Sequence, residues 1–212
     1  MERMRQEWAA FQALPLKKKL EHIWIYYKWY LLAGAALICM AVSIAGTVAN
    51  NRKEILISGI FINNATSQEG YAYLTEGLLE YCGGGDRNVE LITGRAIDFN
   101  AENPSQEDAS AFMIVTCMIA AGTLDYIITD QASVDNFVEQ EVVLDLRELL
   151  PEQKLAGWDT IEHNGAVTAL ALEGTAFAAD HPLSAPDSCI LVVANAPHRE
   201  GVVKFLDYIK GP

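Results

Sequence analysis

The feature that most constrains this chain is an uncharged apolar run from Leu31 to Ala49, with the sequence LLAGAALICMAVSIAGTVA. As an α-helix rising about 1.5 Å per residue, such a run spans roughly 28 Å, close to the hydrocarbon thickness of a bilayer. The residues that follow it are numerous enough for one domain with its own hydrophobic core. We therefore predict a head at 1–22, a single transmembrane helix with its flanking residues at 23–50, and one domain at 51–212.

The residues before the apolar run predict its orientation in the membrane. Cytoplasmic flanks of membrane helices carry an excess of Lys and Arg, and aromatic side chains collect at the headgroup level. We accordingly place the N-terminus in the cytoplasm, the C-terminal domain outside it and the protein in the cell membrane, with the lipid bilayer as first partner. The predicted anchoring residues are Lys17, Lys18, Lys19, Trp24, Tyr27, Trp29 and Tyr30.

Two alternatives concern this N-terminal part. The head is either an interfacial helix, because Trp8, Phe11 and Leu14 recur at helical spacing, or a loosely ordered tail. The apolar run is longer than the roughly 7–15-residue core of a signal peptide, which favours an uncleaved anchor. Thr47-Val48-Ala49 nevertheless fits a cleavage site, so cleavage stays the alternative.

Charge and cysteine content exclude some functions of the C-terminal domain. Residues 51–212 carry nine Lys/Arg against twenty-five Asp/Glu, a net charge of −16, and such a domain repels nucleic acid. Cys82, Cys117 and Cys189 are three in number, so at most one internal disulfide forms among them. Neither the cysteines nor the histidines show metal-ligand spacing, and we predict no metal and no cofactor.

Alternating strand and helix patterns predict an α/β domain. Predicted strands are Glu54–Asn63, Asn88–Thr93, Leu124–Thr129 and Val142–Leu144, with helices between them. Such alternation indicates a mainly parallel sheet with helices on both faces, a three-layer arrangement. One helix begins after Ser105, with Asp108 completing a capping box. Its predicted buried face comprises Ala109, Phe112, Met113, Thr116, Cys117 and Ala120.

The remainder predicts a hairpin, a strand and a last helix. Ala166–Leu172 and Thr175–Ala179 read as paired strands around Glu173-Gly174. Ser188–Asn195 predicts a buried strand, and an amphipathic helix with its apolar face through Val202 and Ile209 closes the domain.

Four segments of this domain suggest a family. They are IAAGTLDYIITD at 119–130, VLDLRELLP at 143–151, ILVVAN at 190–195 and HREGVVKFLDYI at 198–209. In this order they resemble segments of bacterial extracellular solute-binding proteins of the type 2 periplasmic-binding fold. The resemblance implies a periplasmic-binding-like domain outside the cytoplasm, although at about half the usual size it lacks most of a second lobe. The stretch KKKLEHIWIYYKWYLL at 17–32 resembles uncharacterised membrane proteins of clostridia-like bacteria.

Ligands of open α/β sheets bind beyond the carboxyl ends of the strands, which selects the candidate site. Asp130 would accept hydrogen bonds from a polar ligand beside Thr129, but it is equally suited to cap the next helix. Glu173 and Asp180 line the same edge, or alternatively Glu173-Gly174 forms a hairpin turn. The candidate ligand-binding residues are Asn63, Asn64, Thr93, Thr129, Asp130 and Glu173.

Two functions from different classes remain open. The first is a membrane-anchored solute-binding-like domain that binds a small solute or a protein partner, such as a transporter. The second is a non-catalytic scaffold subunit of a membrane complex, which would expose an apolar patch and lack a ligand cleft. No nucleophile motif or convergent set of titratable residues predicts an enzyme.

Overall fold

The structure, a computed structural model, describes residues 34, 36, 38–43, 46, 54–99, 101 and 103–211. The chain divides into two units, Met1–Lys53 and Glu54–Pro212. In the first unit, residues 38–43 are helical. Across the described residues, no helix combines the length and the apolar character needed to cross a membrane. The predicted head, all seven anchoring residues and most of the apolar run lie outside the described residues, so the anchor stays a prediction.

The second unit is built on one six-stranded sheet with the strand order β2-β1-β3-β6-β5-β4. β1 runs parallel to β2 and β3, whereas the other three pairings are antiparallel. The predicted α/β class is confirmed, but the sheet is mixed rather than mainly parallel. The strands are β1 Glu54–Ile62, β2 Arg87–Arg95, β3 Tyr126–Asp130, β4 Thr160–His163, β5 Ala166–Ala171 and β6 Ser188–Val192.

Six helical elements accompany these strands in the described part of the domain. The first, α1, is continuous through a π-helical middle segment. In chain order they are α1 (Gln68–Ala72, Tyr73–Gly77 and Leu78–Tyr81), α2 Gln106–Ala120, α3 Gln131–Glu139, α4 Glu152–Leu155, α5 Ala176–Asp180 and α6 Arg199–Lys210, with a 3₁₀ turn at Leu146–Glu148 before α4.

Helices cover both faces of the sheet, and each face has its own hydrophobic core. Successive residues of one strand pack alternately in these two cores. Tyr126 of β3 packs in a cluster with Leu78 of α1 and Phe205 of α6. Its neighbour Ile127 packs in a second cluster with residues of α2 and α3, among them Phe137. Successive side chains of a strand point to opposite faces, so the two clusters lie on opposite sides of the sheet.

Close packing at the centre of the sheet depends on one glycine. Gly59 of β1 pairs with Tyr126 of β3, and the tyrosine ring lies directly over the glycine. A Cβ atom at position 59 would overlap that ring. The other face of the ring stacks on Phe205, with 4.5 Å between centroids. Tyr126 therefore joins β1, β3 and α6 in one contact.

The antiparallel half of the sheet differs from the prediction in its hairpin. Thr175–Ala179 is not a strand: Thr175 caps α5, accepting a hydrogen bond from the Ala178 N–H. The hairpin instead joins β4 to β5 through Asn164-Gly165, whose φ angles are 52° and 83°. Asn-Gly tolerates two successive positive φ angles and is the commonest signal for a two-residue hairpin. The strand predicted at 166–172 is confirmed as β5. Its hairpin partner is β4, which precedes it in the chain.

The predicted fourth strand, Val142–Leu144, makes only a bridge. Val143 pairs with Val193, beyond the end of β6. Leu144 donates its N–H to the Val192 carbonyl at 2.8 Å. Asp145 follows at once and caps the 3₁₀ turn. The turn ends the extended segment before it becomes a strand.

Candidate functional site

The carboxyl ends of β1 and β3 meet at one edge of the sheet, which we call the carboxyl edge. Because β6 is antiparallel, it begins at this edge, with Ser188 opposite Asp130. Four of the predicted ligand-binding residues lie here, at or just after the strand ends: Asn63, Asn64, Thr129 and Asp130. The structure thus brings together four of the five residues that the strand-end argument selected, and Thr93 is the exception.

Asn63 connects the end of β1 to two neighbouring segments through hydrogen bonds. Its Nδ2 donates to the Ile97 carbonyl at 2.9 Å and to the Ser133 Oγ at 3.1 Å. Its Oδ1 accepts from the Ile97 N–H at 2.8 Å. Its φ angle of 54° lies in the left-handed region, which Asn tolerates better than most residues. Both atoms of the amide are engaged within the domain.

Asn64 connects the end of β1 to the start of β6, again through hydrogen bonds. Its Nδ2 donates to the Ser188 Oγ at 2.7 Å. Its Oδ1 accepts from the Ala65 N–H at 2.9 Å, from the Ser184 Oγ at 3.2 Å and from the Ala185 N–H at 3.4 Å. The residue is 5% exposed, so its hydrogen bonds are almost wholly internal.

Asp130 and Thr129 take the structural roles that the sequence left open. Asp130 is the N-cap of α3, with its Oδ1 accepting from the Ser133 N–H at 2.7 Å. Thr129 is fully buried, and its hydroxyl has no hydrogen-bond partner in the described part of the chain. Asp130 stabilises the first turn of α3, and the Thr129 side chain points away from solvent.

The remaining two candidates, Thr93 and Glu173, lie outside the hydrogen bonds described for this group. Glu173 is exposed in the turn before α5 and lines a cavity of about 280 Å³ that reaches Ser188. Most of that lining is Ala, Pro and Gly, and Asp180 does not belong to it. Thr93 is exposed within β2, the outermost strand on its side of the sheet. The hydrogen bonds of Asn63, Asn64 and Asp130 at the carboxyl edge thus run to other parts of the domain, and Glu173 lies at the margin of this edge.

A second polar cluster lies at the opposite, amino edge, and the sequence did not point to it. Asp125 is completely buried just before β3. Its Oδ2 accepts from the Ser58 N–H at 2.7 Å and from the Nδ1 of His198 at 2.9 Å. Its Oδ1 accepts from the His198 N–H at 2.7 Å. The available signal was the position of Asp125 inside an otherwise apolar run, since a buried carboxylate requires several donors.

The Asp125–His198 pair lies beside a cleft, which His198 helps to line. In the described part of the chain, the hydrogen bonds of the His198 ring run to Asp125 alone. The adjoining cleft, of about 420 Å³, is lined by charges of both signs, Arg87, Glu200 and Lys204 among them. Burial, with the charge of Asp125 second, raises the pKa of Tyr126 well above its usual range, so its phenol stays protonated. Among the described residues, no group of three or more His, Cys, Asp or Glu side chains is arranged to hold a metal ion.

The most unusual surface of the domain belongs to α2. The helix begins as predicted, at a capping box in which Ser105 and Asp108 exchange hydrogen bonds. The bonds from the Ser105 hydroxyl and then from the Asp98 N–H lower the pKa of Asp108. The predicted buried face is wrong, however, because Ala111 and Val115 are the residues that α2 buries.

Most of the residues predicted to be buried instead face outward. We call this surface the α2 outward face: Ala109, Met113, Thr116, Cys117 and Ala120, all exposed. Met113 is 66% exposed, and Ile114 beside it 38%. Met113 and three other residues of this face line a groove of about 460 Å³ with mainly apolar walls, to which Phe99, Pro104 and Phe112 also contribute. Two carboxylates, Asp98 and Asp108, belong to the same lining. The helix is apolar on two faces, and the sheet covers only one.

No protein-family model matches the sequence, and no curated protein matches it significantly. The residues and surfaces described above are therefore the basis for a function.

Proposed function

We propose that this chain is a membrane-anchored, non-catalytic interaction protein whose α/β domain binds a protein partner outside the cytoplasm. The observation that carries the proposal is the α2 outward face, an apolar helix surface with Met113 66% exposed at its centre. Soluble domains seldom leave a contiguous apolar helix face and an adjoining groove in water unless another molecule covers them. This is the scaffold alternative, in which the anchor keeps the domain beside a membrane protein such as a transporter.

The carboxyl edge favours a protein partner over a small solute. A solute site requires polar side chains with free hydrogen-bonding capacity around an open cleft. In Asn63 and in Asn64, both polar atoms of the side-chain amide instead form hydrogen bonds with neighbouring segments of the domain. Asp130 caps α3. The polar residues at this edge join strands to helices.

A relationship to the periplasmic-binding fold forms part of the same proposal. The segment IAAGTLDYIITD supports it locally, since α2 ends at Ala120 and Gly122 turns with a φ angle of 62°. The buried strand β3 then follows. On this view the chain keeps a reduced solute-binding-like domain and uses a helix surface for protein recognition.

The test is photo-crosslinking in native membranes. The full chain carries a photoreactive amino acid at position 113 or, as a matched control, at position 81, because Tyr81 is also exposed, at 57%. We expect position 113 alone to crosslink to a defined neighbouring protein, and Cys117→Asp to abolish that product. Equal products from both positions, or none from position 113, would overturn the proposal.

The solute hypothesis needs its own measurement. Full-length protein is heated with sugars, amino acids, peptides or divalent ions, and a ligand at 100 times its Kd should add about 2.7 kcal/mol of stability. We expect no reproducible shift in Tm. A shift that Asn64→Ala abolishes would instead place a solute at the carboxyl edge.

A further inference from the structure

We infer that the cleft beside His198 binds a phosphate group, held by the cations in its walls and by the Nε2 atom of His198. We call it the amino-edge cleft, because the first residues of β1, β2 and α6 line it: Glu54, Arg87 and Arg199. The cleft shares no lining residue with the groove along α2, so this inference stands apart from the proposed function.

Cations collect in this cleft although the domain is strongly acidic. Three cationic side chains line it, namely Arg87, Arg199 and Lys204. Most of the surface of a domain with a net charge of −16 repels anions, so a cleft with three cations is where an anion would bind. The described part of the domain contains seven Lys and Arg residues in all: Arg87, Arg95, Arg147, Lys154, Arg199, Lys204 and Lys210.

The cations of the cleft are available to a ligand. Elsewhere in the domain Arg147 pairs with Glu162, and Lys154 pairs with Asp207. Among the residues that the structure describes, neither Arg87 nor Lys204 forms a side-chain hydrogen bond or an ion pair, and Arg199 donates to the Ala194 carbonyl at 2.9 Å. A guanidinium without a partner offers a planar pair of donors that matches two oxygens of a phosphate.

The ring of His198 is held in place by the buried carboxylate of Asp125. Oδ2 of Asp125 accepts from Nδ1 at 2.9 Å, so Nδ1 carries a proton, and Oδ1 accepts from the backbone N–H of His198 at 2.7 Å. Nε2 has no partner within the described residues, on a side chain that is 32% exposed and lines the cleft. A neutral imidazole accepts a hydrogen bond at Nε2, and a protonated one donates there. Either form can bind a phosphate that keeps one proton.

Two carboxylates in the lining narrow the class of anion. Glu54 and Glu200 oppose an anion by their charge, but each can accept a hydrogen bond. Hydrogen phosphate and phosphate monoesters offer both acceptor oxygens for the cations and a P–OH donor for a carboxylate. An ionised carboxylic acid has no such donor. The cleft therefore fits a protonated phosphate better than a carboxylate ligand, and its volume of about 420 Å³ leaves room for a substituent.

Calorimetric titration of inorganic phosphate into the full chain tests this inference. The protein is held in micelles of a detergent without phosphate, and phosphate replaces chloride at constant ionic strength and pH, so that general screening does not change. We expect saturable binding at one site. Sodium acetate, titrated in the same way, should give no saturable binding.

Two matched variants assign the binding to the cleft. Arg87→Gln should weaken phosphate binding by about tenfold or more, because a charge-assisted hydrogen bond is lost. Arg147→Gln removes the same charge outside the cleft and should change the affinity by less than about twofold. Far-UV circular dichroism checks that both variants fold.

A third variant isolates the role of His198. Asparagine can keep an N–H donor for Asp125 near the position of Nδ1, but it has no atom in place of Nε2. His198→Asn should therefore weaken phosphate binding by about threefold or more. If this variant does not fold, the comparison of Arg87→Gln with Arg147→Gln still decides, because neither arginine bonds to Asp125.

A second arm distinguishes two sources of the phosphate, a free phosphate and a lipid headgroup. The full chain is reconstituted in vesicles that contain phosphatidic acid, or oleic acid as an anionic lipid without phosphate. If a headgroup occupies the cleft, free phosphate should bind about tenfold more weakly in the phosphatidic acid vesicles than in the oleic acid vesicles. Equal affinities would assign the cleft to a free phosphate or a soluble monoester.

Three results would overturn the inference. The first is a titration of inorganic phosphate without saturable binding. The second is equal binding of acetate and phosphate. The third is an equal loss of affinity in folded Arg87→Gln and Arg147→Gln, which would mean that phosphate responds to the net charge of the domain and not to the amino-edge cleft.

Discussion

The two edges of the sheet hold their polar residues in different ways. At the amino edge one buried carboxylate, Asp125, accepts hydrogen bonds from two backbone N–H groups and from the His198 ring. At the carboxyl edge the bonds are distributed over several side chains, Asn63, Asn64 and Asp130 among them. At the amino edge the hydrogen bonds described here converge on one residue, whereas at the carboxyl edge they involve several side chains.

This difference should determine how each edge responds to mutation. Loss of a concentrated acceptor leaves several buried donors without a partner at once, and each such donor costs about 1–3 kcal/mol. Loss of one member of a distributed network leaves fewer groups unpaired, because several partners keep a second hydrogen bond: the Ala65 N–H also donates to the Ser184 Oγ, and the Ser188 Oγ also donates to the Ala185 carbonyl. The following substitutions test the comparison, beginning with the largest expected effect.

Asp125→Ala should destabilise the domain most. The Ser58 N–H and the His198 N–H both lose a buried acceptor, and we expect a loss of about 3–4 kcal/mol. Urea unfolding of the full-length protein, followed by circular dichroism, measures it. Asp159→Ala, at an exposed aspartate, is the control and should change stability by less than about 0.5 kcal/mol. Similar losses of unfolding free energy in the two variants would show that the hydrogen bonds accepted by Asp125 do not stabilise the domain in particular.

Asn64→Ala should cost less, about 2 kcal/mol. It removes a donor to Ser188 and an acceptor shared by three groups, but one of those bonds is 3.4 Å long and Ser184 is exposed. The same unfolding experiment applies. A loss equal to that of Asp125→Ala would mean that the two edges do not differ.

Asp130→Ala removes a single N-cap bond and should cost about 1 kcal/mol. Asp130→Ser keeps a capping oxygen and should restore most of that loss. If the serine variant is as unstable as the alanine variant, the carboxylate contributes through something other than capping of α3.

Thr129→Val should have the smallest effect and the opposite sign. The Thr129 hydroxyl is buried without a partner in the described part of the chain, and valine has nearly the same shape. We expect a gain of up to about 1 kcal/mol, because an unpaired buried hydroxyl is disfavoured. A loss of more than about 1 kcal/mol would show that the hydroxyl is hydrogen-bonded in solution.

Local patterns were sufficient to predict much of the fold. The alternation of strands and helices identified the α/β class, and strand-end reasoning placed Asn63, Asn64 and Asp130 at one edge. Both follow from short-range chemistry, namely periodicity, capping and the geometry of strand ends. The Asn164-Gly165 turn follows the same kind of rule, whereas Glu173-Gly174 leads into α5 and not into a strand.

Long-range partners were not predictable in the same way. The antiparallel direction of β6 depends on which strand it pairs with, and no periodicity states that. The hydrogen bonds that Asp125 accepts from Ser58 and His198 join residues 67 and 73 positions apart. A pattern along the chain can indicate that a buried aspartate needs donors, but the fold decides which donors it receives.

The error on α2 has a different cause. Two apolar stripes run along this helix, and the sequence favoured the stripe through Met113 over the one through Val115. Both stripes are chemically suited to burial, so periodicity cannot rank them. If a second molecule covers the outward face, both stripes are buried in the assembled protein.

The contact between Gly59 and Tyr126 has a consequence for how this sequence can change over time. Neither position is free to vary alone: any side chain at 59 displaces the ring, and a smaller residue at 126 leaves a hole beneath Phe205. The two should therefore covary among descendants of this chain, with a small side chain at 126 accompanying a larger one at 59. Such paired exchange, found between adjacent strands in related genomes, would identify their pairing without any coordinates.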